Sequence, residues 1–580
     1  KLTEAFRKVY EATVSEVKGE GSQGAKKLDA EEKKRRELVR KDLDQGRPTL
    51  VYNDLKKLSD KEKKFVRILH EVGKIIDSLY AKQKGIDGLA AKIPKDDKAS
   101  QSLFRRNWGP KCRGPKTEGK EGCSAIPGGW KEVVDVYPAA RQKKEGFCEA
   151  LKKEKNADKL LAPFVVVREK DGKLQEVPYT VAYKPHMETV AKKLEQAAAL
   201  LEVPKEKALV AYLKAAAKAF RDNDWKPADE AWAAMNATNS KWYLRVGPDE
   251  VYWDPCNRKA WFHMTLALIN KDSLAWQKKL TKVQQKMEDT LAELIGKPYK
   301  ARKVTFQMPD FIDIVINAGD DRKPFGATIG QSLPNWGPVA NEGRGRTVTM
   351  TNLYTDPDSL RIGRLKAQSV LSAKSMKDFP KKGGLDLLGI MLHEATHNLG
   401  PSHEYKVKGK KDTDVFGGPL ATVMEELKAQ TGALYYVGFL MKNGVIDKKK
   451  AHDSYVDSFM WALGHISRGM YTTSKKPKPY SQLAAIHVGY LMDKGAITFD
   501  PKAKAANGKD KGAFTLHLDK FPAVTVGLMK LAGQIKARGD VAKAKELIKK
   551  YVDSDKVPQK LIKERMLRYP KASFVYAYDF

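Results

Sequence analysis

The chain has 580 residues, 42% hydrophobic and 31% charged, a balance that fits a folded globular protein and excludes a disordered or collagen-like one. Its formal charge is +35, but the lysines are scattered, with short clusters such as EEKKRR and DKKKAH and no basic stretch interleaved with aromatics, so specific nucleic-acid binding is not expected. No apolar run, ALYYVGFLM included, approaches the roughly 18 residues of a membrane span.

Residues 1 to about 90 are predicted helical, with a Gly/Ser/Lys break at VKGEGSQGAKK (17–27); LVRKDL and VRILHEVGKIIDSLY carry apolar residues at three- and four-residue spacing. Residues 105–160 are rich in Gly, Pro and Cys and read as an ordered irregular segment. PFVVVREKDGKLQEVPYTVAY predicts a hairpin, two β-rich runs around Asp171-Gly172. Residues 187–222 are alanine-rich and helical, whereas FQMPDFIDIVINAG (306–319) and RTVTMTNLY (346–354) read as strands. From about 360 onward the chain is mostly helical, broken near 400–419 and 474–481. There is no internal repeat, and the sum is an α+β fold with a mixed first half and a helical second half.

Four cysteines occur, Cys112, Cys123, Cys148 and Cys256, and none forms CxxC, which argues against a zinc ribbon or a thioredoxin motif. A periplasmic, envelope or secreted protein would pair them, with three connectivities open; a cytoplasmic protein would keep four buried thiols. The sequence starts at Lys1 without an apolar leader, as a processed or trimmed chain would, so the first location is expected and the cytoplasm is the alternative. The positive excess reads as a solvated lysine-rich surface, with electrostatic attraction to anionic envelope components as the second reading.

The densest chemistry lies in HEATHNLGPSHE (393–404). Leu385, Leu388, Met391 and Leu392 lead into it, and Asp386 stands near a helix start. The helix is expected to stop at Asn398-Leu399-Gly400-Pro401. On that helix His393 and His397 lie one turn apart on one face and can share a Zn2+, with Glu394 placed as general base. A catalytic zinc takes three protein ligands and leaves a position for water. His403 fits the metzincin spacing HExxHxxGxxH, although SRGMYTT (467–473) is a poor approximation to the expected Met-turn. Glu426 competes for the third place. It follows Glu425 in the middle of a second long helix, PLATVMEELKAQTGALYYVGFL (419–440), where paired carboxylates are costly unless one meets a cation or a metal.

MEELKAQTGALY resembles the EECRAE helix of dipeptidyl peptidase III-like metallopeptidases. That likeness implies that Glu426 is the third ligand, with Glu425 and Gln430 as hydrogen-bond partners behind the ligands. Gln430 replaces a glutamate, so it keeps an acceptor but not the charge that raises ligand basicity. The HExxH spacing stands where the family usually has HExxGH, as in some bacterial and plant relatives. VGPDEVYWDP (246–255) is similar to the family's Glu-x-Tyr-x-Asp-Pro segment, which implies that Glu250 holds the substrate's amino terminus and Tyr252 polarises the scissile carbonyl. SLPNW (332–336) resembles an Asn-x-Pro-Asn loop that binds the same end, through Asn335, with Ser332 replacing the first asparagine. The similarity covers roughly residues 165–550. A later histidine of the family, expected near 471–481, is absent, and His465 and His487 flank the place.

The resemblance implies two lobes around a wide cleft. One is a mixed α/β lobe with a small β-sheet or barrel, residues 1–270 (including the cysteine-rich segment 105–160) and the strands of 306–360. The other is helical and zinc-bearing, 271–305 and 361–555, with 556–580 as a C-terminal tail. The expected activity is zinc-dependent release of dipeptides from the free amino end of short peptides. The alternatives are a catalytically weakened zinc-stabilised envelope binding protein of the same fold, or a metzincin-like endopeptidase using His403.

Overall fold

The computed structural model describes residues 4, 8, 11, 28–251, 253–304, 309–334, 337–342, 344–381, 386–402, 405–472 and 475–580. Helix α1 (Ala30–Leu43) starts at Asp29, whose Oδ1 accepts the Glu32 N–H at 2.8 Å. Strand β1 (Gly46–Asp54) follows, then helix α2 (Asp60–Gln83). The α2 start is a reciprocal capping box: Ser59 Oγ accepts the Glu62 N–H, and Glu62 Oε2 accepts the Ser59 N–H at 3.0 Å. Its buried stripe, Phe65, Leu69, Val72, Ile76 and Leu79, has helical periodicity and faces a sheet.

Strands β2 (Val165–Lys170) and β3 (Lys173–Pro178) form the predicted hairpin. Its turn residues Asp171 and Gly172 take positive φ values of 51° and 74°, the left-handed pair a two-residue turn requires. Helices α3 (Lys184–Ala199) and α4 (Val203–Asp222) come next. Strands β4 (Trp242–Glu250) and β5 (Trp261–Ile269) are almost wholly buried. After helix α5 (Gln284–Ile295) come β6 (Asp310–Gly319), β7 (Gly330–Leu333) and β8 (Arg346–Met350). These make a five-stranded mixed sheet in the order β4-β5-β6-β8-β7. The sheet stays open, with β4 and β7 as its two edges, so of the two expected forms it is a small sheet and not a barrel among the described residues.

The rest is mainly helical: α6 (Pro357–Val370), α7 (Leu387–His397), α8 (Gly418–Lys442), α9 (Lys448–Ile466) and α10 (Pro479–Asp493). Hairpin β9 (Ile497–Lys504) and β10 (Lys511–Leu516) precedes α11 (Phe521–Arg538), and helix α12 (Gln559–Met566) precedes β11 (Lys571–Asp579). Two large apolar cores result. One fills the sheet and α2–α4; the other is built by α5 and α7–α11.

Two expectations are corrected. The first ninety residues are not all helical, because GRPTLVYND forms β1. Residues 556–580 are not a loose tail, because β11 pairs in parallel with β1 from Gly46↔Lys571 to Asp54↔Asp579. Each strand is completed by the other, so neither half carries a local signal. The cysteine-rich segment is cross-linked within itself by Cys112–Cys123 and to the β4–β5 connection by Cys148–Cys256. Among the described residues no helix is long and apolar enough to cross a membrane.

Candidate metal centre

Helix α7 ends where the sequence predicts, with Asn398 as cap and Gly400 at φ 65°. Glu288 of α5 fixes the exit by accepting the Gly400 N–H at 2.8 Å. Helices α7 and α8 cross closely at Gly432, where a Cβ would overlap the Thr396 side chain. That closeness lets side chains from the two helices converge. Gly432→Val is therefore expected to force the helices apart, costing about 1–3 kcal/mol and lowering zinc content; thermal unfolding and metal analysis measure both.

Three ligand atoms meet at the crossing. His393 Nε2 and His397 Nε2 are 3.2 Å apart, and Glu426 Oε2 lies 3.3 Å from the first and 3.7 Å from the second. Bonds of about 2.0–2.1 Å to a tetrahedral zinc would separate ligand atoms by about 3.3 Å. The protonation pattern agrees. Glu425 Oε1 accepts from His397 Nδ1 at 2.7 Å and Gln430 Oε1 accepts from His393 Nδ1 at 3.0 Å. With both protons on Nδ1, both Nε2 lone pairs face each other. Glu426 Oε2 is buried with no hydrogen-bond partner. Three facing acceptors need a cation, and two imidazoles plus a carboxylate suit Zn2+.

Behind the ligands lies a buried charge network. Glu425 Oε2 accepts from Lys536 Nζ at 2.6 Å, and its Oε1 lies 3.2 Å from Lys428 Nζ. Lys536 also bonds Asp412, and Lys428 donates to the carbonyls of His397 (3.3 Å) and Leu399 (3.1 Å). Burial opposes the charge of Glu425, but Lys428, Lys536 and His397 hold its pKa well below the usual carboxylate range. Sequence reasoning missed these lysines. Lys428 could have been found as a cation one turn beyond Glu425 on an apolar helix; Lys536, on α11, gives no local signal.

Glu394 is half-buried, and β7 lies against it: a Cβ on Gly330 would stand 3.1 Å from Glu394 Oε1. The next residue, Gln331, places its Nε2 3.5 Å from Asp321 Oδ1. There His263 bridges Asp249 (2.5 Å) and Asp321 (2.6 Å), and Arg245 pairs with Asp249 and Asp229. Glu250 ends β4 beside this cluster. Burial pushes its pKa up to about 7, with His263 opposing and Asp249, Asp320 and Asp321 reinforcing. Trp253 donates to Asp320 at 2.6 Å, and the following turn is organised by Asp254, which accepts the Cys256, Arg258 and Lys259 N–H groups.

On the other flank, Tyr480 reaches the Glu426 carboxylate and packs on His465, which packs on Trp461 (ring centroids 5.3 and 4.4 Å). Burial holds His465 neutral, its pKa lowered to about 3, with Arg468, Lys571 and His393 adding to the effect. His487 is buried in the helical core instead. Arg468, Lys366 and Lys571 gather beside His465 with no acidic partner in salt-bridge range among the described residues. Burial pushes Lys571 down to about 8, with Arg468, Lys366 and Lys478 adding and Glu118 opposing. Tyr252, Asn335 and His403 lie outside the described residues.

An α+β frame carrying a His2Glu group that could hold a metal ion defines the class. No family model matches the chain. Among solved structures it is similar to dipeptidyl peptidase III from Caldithrix abyssi, at TM-score 0.79 and 24% identity over 92% of this chain and 98% of that one. It is also similar to dipeptidyl-peptidase III from Corallococcus sp. strain EGB, at TM-score 0.71 and 25% identity over 93% and 97%. Among curated proteins it is similar to Nudix hydrolase 3 of Arabidopsis thaliana, 23% identical over 572 residues, covering 88% of this chain and 70% of the relative. The chain is thus dipeptidyl peptidase III-like in fold.

Proposed function

We propose that the chain is a zinc-dependent peptidase that releases dipeptides from the free amino end of short peptides. The observation that carries this reading is the convergence of His393, His397 and Glu426 around a buried unpartnered carboxylate oxygen, with Glu394 against the sheet's edge strand. Zinc, when bound, supplies a Lewis acid that activates water and polarises a carbonyl. Glu394 takes the water's proton and passes it to the leaving amine. Strand β7 offers an open edge on which an extended peptide can pair through its backbone. Glu250 and its acidic neighbours hold the ammonium at a fixed distance from the metal, which selects dipeptide release. Tyr252 and Asn335 take the roles that the resemblance implies, a phenol donor to the scissile carbonyl and a second contact to the amino end. Arg468, Lys366 and Lys571, without an acidic partner among the described residues, suit the carboxylate end of a short peptide. Two lobes closing on the peptide would exclude water from the site.

Convergence on Glu426 favours this reading over a metzincin-like one. Two disulfides support a periplasmic, envelope or secreted location, where the positive surface would meet anionic components. The test is zinc content together with dipeptide release from short peptides with free and acetylated amino ends. Cleavage of the free form alone supports the proposal, equal cleavage removes amine anchoring, and no cleavage by the zinc-loaded protein favours a binding protein.

The pH profile adds a check. Glu250 must be ionised to hold an ammonium, so kcat/KM is expected to fall as pH drops through about 7, where half of Glu250 is protonated. Glu250→Gln should raise KM and erase that limb; an unchanged profile would exclude Glu250 from amine binding.

A further inference from the structure

Each imidazole ligand is backed by one acceptor, and neither acceptor brings net negative charge. Behind His393 stands the neutral amide of Gln430, whose Nε2 donates to Ser458 at 3.2 Å. Behind His397 stands Glu425, but Lys428 and Lys536 both bind it, and among the described residues the only other anion in the network is Asp412, bonded to Lys536. Two carboxylates and two lysines balance. Both lysine side chains are fully buried, so each carries a desolvation cost that a lone Glu425–His397 contact would not incur. Lys428 also donates to the His397 carbonyl, so it places its charge behind both the ring and the backbone of that ligand.

A carboxylate behind a metal-bound histidine raises its basicity, and changing such a partner alters metal affinity by about 10–100-fold. We propose that Lys428 and Lys536 are positioning residues that withdraw the Glu425 charge from His397. With neutral Gln430 behind His393, they leave a metal centre that holds its zinc weakly and keeps it electrophilic. The lysines fix where the Glu425 carboxylate sits and at the same time cancel what it would otherwise donate.

This inference rests on the zinc reading above, and the experiment separates the two. Zinc dissociation constants of the full chain are measured at fixed pH by competition with a chromophoric chelator, for wild type, Gln430→Glu and Lys536→Met. Both variants are expected to bind zinc about 10-fold tighter or more, with kcat lowered and KM little changed. Circular dichroism identifies folded protein. Should Lys536→Met fail to fold, Lys428→Met takes its place, because Gln430→Glu leaves both lysines on Glu425. A folded variant that binds zinc no tighter than wild type overturns the proposal, and looser binding by Lys536→Met makes the lysines scaffolding only. A wild type that takes up no zinc removes the proposed function itself.

Discussion

Glu394→Gln is expected to keep the zinc of the wild type and to lose activity by about 10²–10⁴-fold in kcat. The amide has the same shape and still fits against Gly330, where a side chain at 330 would crowd it. It cannot take a proton from water at neutral pH. The ligand set of His393, His397 and Glu426 does not include it, so metal analysis should be unchanged. Loss of zinc in this variant would show that Glu394 holds the metal or the helix rather than the proton. Activity close to wild type would remove it as the base.

Glu426→Ala is expected to weaken zinc binding on the order of 10³-fold, about 4 kcal/mol, because a three-ligand site becomes a two-ligand one. The protein should stay folded, since Glu426 Oε2 is buried without a hydrogen-bond partner and the carboxylate's tie to Tyr480 is the contact given up. His403→Ala provides the contrast, with zinc retained. If His403→Ala strips the metal and Glu426→Ala does not, the third ligand is assigned wrongly and the metzincin-like reading returns. Calorimetric zinc titration of both variants checks this directly.

How much of this was legible depends on how local each feature is. His393, Glu394 and His397 are visible because one helical turn carries them, and Gly400 marks the helix end for the same reason. Glu426 sits on another helix, and its place beside the two histidines was readable through the EECRAE-like pattern around it and the cost of paired carboxylates at a helix centre. Lys536 was invisible: an ordinary lysine in an amphipathic helix, buried only because α11 packs on α8. The His263 cluster was invisible for a related reason, since Asp249, His263 and Asp321 approach the cluster from different parts of the sheet. Hairpin β2–β3 was legible from its own turn, whereas β1 required a partner from the far end. Sheet and barrel could not be told apart because closure depends on how edge strands meet, which alternation along single strands does not encode.

The pairing of β1 with β11 sets an order of events during synthesis. The two strands are roughly 500 residues apart, so at about 5–20 residues per second β1 waits on the order of half a minute to two minutes for its partner. Throughout that time its backbone donors and acceptors form a bare edge, open to wrong partners and to holdase chaperones. Completion of the sheet-bearing half therefore comes after the whole helical half has been made.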